Sequence, residues 1–491
     1  MTITPGIATG TPRLAIAQVR MVVVGAILTI FLGALDQTIV VTALPSIGRD
    51  LGALQNLSWV VTAYFLAAIA VTPLYGKLSD IHGRRPMVLV AIGLFTAGSI
   101  ACALAPTMGV LIFSRAIQGL GGGALISLAQ TIIADVVSPR ERGRYQGYIG
   151  GVFALASVAG PVLGGFLSEH LHWSFIFWIN VPLSALAYAM TSRVLRLLPV
   201  RHRAHSLDIL GAVLMMTATL SLMLALTWGG TTYSWVSPQI LGLLALAAVM
   251  AALLAVRLRA ADEPFIPLDV LANRVVRSAT AVTFFGMGAM IATTVYMPLY
   301  FELHLGFDAA RSGLGLIPLM AGVVVGATAS GRLMSKVIHY KRAPMFGLSL
   351  AVLAATAIAV RSGNASALEI EILLGLLGVG IGTHLPVVTV SVQNAVHPGA
   401  VGTATSLLNF TRALGSALLV TAVGAIFLAA VGLPNIAGAS IELLVAEAAR
   451  DAADFDVAFR CVFLAVATSL MISLALLLGL EERPLRESVD G

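Results

Sequence analysis

Long apolar runs broken by short, Arg-bearing polar segments organise this chain from end to end. Such runs stand at 21–44, 57–76, 87–105, 107–130, 145–168, 173–195, 207–227, 237–256, 277–301, 311–334, 343–360, 368–392, 404–430 and 459–480. Each is near the about 20 helical residues that cross a hydrocarbon core of roughly 30 Å. The runs are too long for barrel strands and their hydropathy does not alternate. The predicted fold class is therefore all-α integral membrane, with 14 transmembrane helices.

Composition agrees. The 491 residues are 58% hydrophobic and 11% charged, with a mean hydropathy of +0.96, too little charge to cover a water-soluble surface. A net charge of +6 raises the question of nucleic acid, and the placement of the basic residues answers it. With the N-terminus cytoplasmic, the inner segments hold 22 of the 29 Lys and Arg and the outer ones 5, while Arg115 and Arg412 lie within spans. This asymmetry is the topology signal of a membrane protein. One span more or fewer would scramble it, so both termini are expected in the cytoplasm, with the chain in the inner (plasma) membrane. Cys102 and Cys461 each sit in an apolar run, which leaves neither a disulfide framework nor a metal cluster. Residues 1–20 are expected to be a polar cytoplasmic tail, and the apolar stretch after them is too long for a signal peptide.

A weak internal repeat divides the chain. Gly76-Lys77-Leu78-Ser79-Asp80 follows the second span, and Gly331-Arg332-Leu333-Met334-Ser335-Lys336 follows the tenth. If the two correspond, spans one to six and nine to fourteen are parallel halves, a transporter architecture with substrate held between them. The expected units are a six-helix bundle over 21–200, two inserted helices over 201–260, a second six-helix bundle over 261–480 carrying an outer loop at 431–458, and a tail at 481–491.

Candidate chemistry is sparse. Asp36 is the one acid among 23 that lies deep in a span, and an intramembrane charge is by default a functional feature. Gly33, Thr29 and Gly25 share its helical face, a small polar stripe suited to a wet cavity, where burial would bring the carboxyl towards a proton-exchanging range. A structural carboxylate bonded to a neighbouring helix is the alternative. Arg115 is the matching buried base, with Gln118, Gly119 and Gly122 on its face. It either biases a nearby carboxylate or binds an anionic group, or else rests on backbone carbonyls. Span five carries Gly147, Gly150, Gly151, Gly160, Pro161, Gly164 and Gly165, fitting either a rocking hinge or close static packing. In the loop 76–85, Asp80 is placed to lock against the basic segment Arg140–Arg144, biasing one open state, although any charged loop would look similar. Glu302 and Glu371 stand at outer helix ends. Arg412, with Asn409 a turn earlier, is placed in the inner third of its span, from where it could snorkel. The outer segment has Glu442, Glu447, Asp451, Asp454 and Asp456, and a stretch from Ile441 that reads as a surface helix.

These residues resemble a known family. Gly76-Lys77-Leu78-Ser79-Asp80-Ile81-His82-Gly83-Arg84-Arg85 is similar to the loop signature of the major facilitator superfamily, and Arg115-Ala116-Ile117-Gln118-Gly119 to its fourth-helix motif. The run from Gly147 to Gly160-Pro161-Val162-Leu163-Gly164-Gly165 resembles the antiporter motif. Leu35-Asp36 through Leu44-Pro45 resembles the first-helix motif of the fourteen-span drug:proton antiporters, and similarity extends through Trp173–Pro182 and the 298–318 region. The resemblance implies two six-helix bundles with two extra helices, alternating access, and efflux of lipophilic, often cationic compounds against inward proton flow. It implies Asp36 and Arg115 as coupling residues, Gly76, Asp80, Gly83, Arg84 and Arg85 as the cytoplasmic gate, and Gly147, Gly160, Pro161, Gly164 and Gly165 as the antiporter hinge. Gln118, Glu302, Asn409 and Arg412 remain candidates for substrate or cation contact. Ile81 stands where the loop motif has a basic residue, which weakens the expected latch. Ala156 replaces a glycine, and Glu302 a frequent Gln.

The leading expectation is a proton-driven multidrug exporter, linked to antibiotic resistance, that uses neither ATP nor a cofactor and has protons, a lipophilic substrate, the bilayer and a periplasmic adaptor as partners. Export of a specific lipid, siderophore or metabolite is the second expectation, and a non-transporting sensor the third. An enzyme is disfavoured, since no phosphate-binding glycine loop, metal spacing or nucleophile elbow is present.

Overall fold

The computed structural model describes residues 16–197, 207–230, 232–431 and 455–487. Among these, fourteen helices are long and apolar enough to cross a membrane. The first six are α1 (Ala17–Leu51), α2 (Leu57–His82), α3 (Arg84–Ala103), α4 (Met108–Val136), α5 (Pro139–His170) and α6 (Phe175–Val194). Two more follow, α7 (Ile209–Trp228) and α8 (Pro238–Ala260). The rest are α9 (Arg274–Leu303), α10 (Arg311–Met334), α11 (Arg342–Arg361), α12 (Ala367–Ala395), α13 (Pro398–Ala430) and α14 (Phe455–Leu478). The face reached by the start of α1 and the Arg-rich connectors is termed the basic face, and its opposite the far face.

Several helices outrun their apolar stretches. α4 continues to Val136, and α5 begins at Pro139 behind Ser138, because proline suits the first helical position, where no amide donor is needed. Arg140, Arg142 and Arg144 therefore lie on the opening turns of α5 and not in a loop. Part of the expected N-terminal tail, from residue 17, is helical and belongs to α1. The outer acids Glu442, Glu447, Asp451 and Asp454 and the surface helix expected from Ile441 lie outside the described residues.

Packing yields two six-helix bundles. In the first, α1 lies against α4, α5 and α6 while α2 and α3 pack on α4; in the second, α12 packs with α9, α10 and α11, and α9 with α13 and α14. Small residues set these crossings. A Cβ at Gly121 would strike the backbone of α3 at Phe95 and Ala91, and one at Gly382 would strike the Val323 carbonyl of α10. Without a hydrophobic force between helices in lipid, such backbone approach supplies the association.

The inserted pair α7 and α8 pack on each other, with α7 along α2. Asp208 moors them: it caps α7 by accepting from the Gly211 amide at 3.0 Å, and it also accepts from Arg257 Nε at 3.0 Å and the Phe265 amide at 3.3 Å. Burial works against its charge, but these three donors outweigh it and hold the carboxyl below its ordinary range. Lys77 Nζ of α2 donates to the Pro264 carbonyl at 3.3 Å in the following linker.

The halves meet through α2 with α13 and α5 with α10. Both glycines of the internal repeat lie at these contacts: Gly76 leaves no room for a Cβ against Ser406 and Gly402, nor Gly331 against Gly143. Among the described residues, the hydrogen bonds joining the halves gather towards the basic face, from Asp80 with Thr403 to Asn409 with Gln130. The transporter-like body is closed at that face.

Candidate functional site

Asp36 of α1 is 0% exposed and Arg115 of α4 is 1% exposed. Arg115 Nη1 donates to Asp36 Oδ2 at 2.7 Å, and the amides of Gln118 and Asn180 donate to Asp36 Oδ1, each at 2.8 Å. Arg115 Nε donates to the Val60 carbonyl at 2.9 Å, its guanidinium lies 4.3 Å from the centre of the Tyr64 ring, and Gln118 also donates to Ser99 at 2.7 Å. Five helices thus converge on one ion pair. Arg115 is only about 10 Å along α4 from its far-face end, so the pair lies towards that face.

The wet stripe expected beside Asp36 is not there. Gly25 packs against Thr191, Gly33 against Leu125, and the Thr29 hydroxyl turns onto the Gly25 carbonyl. Small residues let α4 and α6 close in on α1 and leave no channel between them. In this state Asp36 is fully hydrogen-bonded and closed to solvent. Protonating it would strip Arg115 of its counter-charge, so proton entry requires this cluster to open.

The gate motif forms a second cluster. Gly83 joins α2 to α3 at φ +91°, a region favouring glycine. That bend carries Arg84 back over α2, where it donates to Asp80 at 2.5 Å, Ser79 at 2.7 Å and, through Nε, Asp135 of α4 at 2.8 Å. Asp80 does not lock onto Arg140–Arg144, as expected from sequence. It accepts from the amides of Gly402 and Thr403 at 3.0 and 2.7 Å and from the Thr403 hydroxyl at 2.7 Å. The free amides at the start of α13 are the stronger lure for a carboxylate. The basic residues go elsewhere: Arg142 to the Val137 carbonyl at 2.8 Å, and Arg140 to the Ser335 carbonyl at 3.2 Å and to Glu487. Arg85 Nε is buried and unpartnered, while Ile81 is buried in the wall of a cavity of about 420 Å³ beside Asp80.

The expected hinge divides by position. Gly147 faces Thr328 of α10, whereas Gly160 and Gly164 press on Thr38 and Thr42 of α1. Pro161 lies within α5, and Gly165 has open space where a Cβ would stand. Gly164→Ala should therefore destabilise the protein by about 1–3 kcal/mol through overpacking. Gly165→Ala should be neutral or slightly stabilising through helix propensity. Thermal unfolding in detergent would read both, and equal losses would contradict this division.

The remaining candidates scatter. Glu302 is exposed at the far-face end of α9. Asn409 donates to Gln130 of α4 at 2.8 Å, and Arg412 Nη1 donates to Asn409 at 3.2 Å. Arg412 turns its Nη1 to Asn409, and because α13 starts earlier than its apolar run this residue stands about 17 Å along the helix from Val401. Asn180, Ser99, Asp135, Gln130 and the α13 amides were not anticipated. Asn180, a lone amide in the run 175–187, was the detectable one.

The two latched bundles, with the Asp36–Arg115 pair buried deep in the first of them, define a multi-pass membrane transporter rather than an enzyme. The Major Facilitator Superfamily sequence profile matches residues 26–420, and the chain belongs to that family. It is 34% identical over 410 residues to Multidrug resistance protein 3 of Bacillus subtilis, covering 84% of this chain and 80% of that one. It is 32% identical to the multidrug transporter protein MdtP of the same organism, covering 83% and 75%. The crystal structure of the human organic anion transporter MFSD10 (TETRAN) superposes with a TM-score of 0.64 at 19% identity, over 94% of this chain and 99% of that one. This last likeness concerns the fold.

Proposed function

We propose that the protein is a proton-coupled antiporter that exports hydrophobic small molecules by alternating access across the plasma membrane. The observation that carries this reading is Asp36, a membrane-buried carboxylate held by Arg115 towards the far face while the halves are latched at the other. The excess of Arg and Lys on the basic face supports a cytoplasmic setting for it, and cytoplasmic termini are part of this proposal. A proton arriving from outside neutralises Asp36, loosens its hold on Arg115, and favours the rearrangement that parts the basic face. Loss of that proton to the cytoplasm restores the pair and favours return with cargo. The relatives named as multidrug transporters support efflux of lipophilic compounds, and a proton gradient is the energy source the cycle needs.

The test is purified protein in proteoliposomes with an imposed pH gradient and a lipophilic fluorescent dye. Dye should move against its gradient and stop when a protonophore is added. Uphill movement that continues with the protonophore present would exclude proton coupling.

A further inference from the structure

Three buried or half-buried guanidiniums have a carboxylate beside them: Arg115 has Asp36, Arg84 has Asp80 and Asp135, and, at the insert, Arg257 has Asp208, while Arg85 and Arg142, which have none among the described residues, stand on the opening turns of α3 and α5 at the basic face. Arg412 in the second half is different. Among the described residues it has one side-chain partner, the neutral Asn409, and its Nε is buried with no acceptor. A guanidinium keeps its proton under all working conditions, so this is a standing positive charge. It lies about 17 Å along the helix from Val401 and about 27 Å from Ala430, well inside the span.

Its orientation is informative. Nη1 is occupied by Asn409, which leaves the edge formed by Nε and Nη2 free, and that edge is the one that takes an oxyanion through two parallel bonds. Asn409 in turn donates to Gln130 of the opposite half, so Arg412 stands one helical turn farther from the basic face than this contact. The side chain is only partly buried, and the contact beneath it forms a floor. The nearby imidazole of His384 cannot balance the charge: it is fully buried, its Nδ1 lies 2.5 Å from the Ile381 carbonyl and its Nε2 has no partner. An imidazole carries either no charge or a positive one, so it offers the guanidinium no counter-charge.

We propose that Arg412, oriented by Asn409, binds the anionic head of an amphipathic substrate, a carboxylate or similar oxyacid attached to an apolar body. This deepens the transport reading and rests on it, and it reverses the expectation of cationic cargo at this site. Because Asn409 bridges Arg412 and Gln130 of the opposite half, an anion that shifts the guanidinium would move the side chain that makes the Gln130 contact, which links loading to parting of the bundles.

The experiment is equilibrium binding to full-length protein in phosphatidylcholine nanodiscs, without any gradient, so that failure of proton coupling leaves the result intact. The probes are 11-(dansylamino)undecanoic acid, its methyl ester, and the matched trimethylammonium compound. The acid should bind at least about ten-fold tighter than either. Arg412→Gln should bring the acid-to-ester ratio close to one, Arg412→Lys should restore part of it, and Asn409→Ala should lower acid affinity without improving the ester. Each variant is first checked for an unchanged thermal transition; should Arg412→Gln fail to fold, the Lys and Ala variants decide. Equal binding of acid and ester by the unaltered protein, preference for the cation, or an unchanged ratio in the folded variants would overturn the proposal. So would displacement of the acid by chloride, or by phosphatidylglycerol added to the nanodiscs, since the occupant would then be a small ion or a lipid.

Discussion

Asp36→Asn is expected to abolish pH-gradient-driven efflux, lowering it to the level of protein-free vesicles. The carboxamide matches the carboxylate in shape but carries no charge and binds no proton near neutrality. The change also strands Arg115, which is 1% exposed and, among the described residues, takes its counter-charge from Asp36 alone. Breaking a buried pair from one side costs about 3–5 kcal/mol, so a structural loss must be separated from a loss of coupling. The double variant Asp36→Asn/Arg115→Gln does this. With no orphan charge it should recover most of the thermal stability lost by the single variant, yet remain uncoupled. Asp36→Glu, which keeps a titratable group, should retain part of the activity. Uphill transport by the double variant would remove Asp36 from the mechanism.

The second large effect is expected at the gate. Asp80→Ala deletes the acceptor for the two amides and the hydroxyl at the start of α13, and for Arg84. Hydrogen bonds to a charged group contribute roughly 1.5–3 kcal/mol each and are not additive. Even a net loss of about 3 kcal/mol shifts a two-state balance more than 100-fold. Spin labels on the basic-face ends of α2 and α13 should therefore report a population at longer distance, with efflux reduced about ten-fold or more. Arg84 keeps Asp135 as a partner, so the turn at Gly83 should survive. An unchanged distance distribution would show that the closed state does not depend on this latch.

Much of this was legible because membranes simplify the code. Span number follows from run length, and Asp36, Arg115 and Asp80 stood out because charge is rare in an apolar sequence. Their partners were less visible for separate reasons. Asn180 and Ser99 are neutral and distant in sequence from Asp36. The amides of Gly402 and Thr403 belong to the backbone, which leaves no signature in residue type. Asp135 and Arg142 lie outside the apolar runs 107–130 and 145–168, because hydropathy falls before the helices end. The glycine stripe beside Asp36 misled in a different way: small residues license either a channel or contact, and only the position of α4 and α6 decides which. Arg412 was misplaced because the start of α13 lies in a polar segment.

One helix carries a consequence for how the two clusters communicate. α4 is unbroken from Met108 to Val136 and bears Arg115 and Gln118 near one end, Gln130 farther on, and Asp135 at the other. These positions span about 30 Å of rigid rod, so a tilt of about 5° at the acid–base pair moves the latch end by roughly 3 Å. A displacement of that size is enough to break hydrogen bonds made at ordinary length. Leverage along a single stiff element would then replace any relay of side chains, and a break in α4 between Gln118 and Gln130 would silence the machine while leaving both of its ends chemically complete.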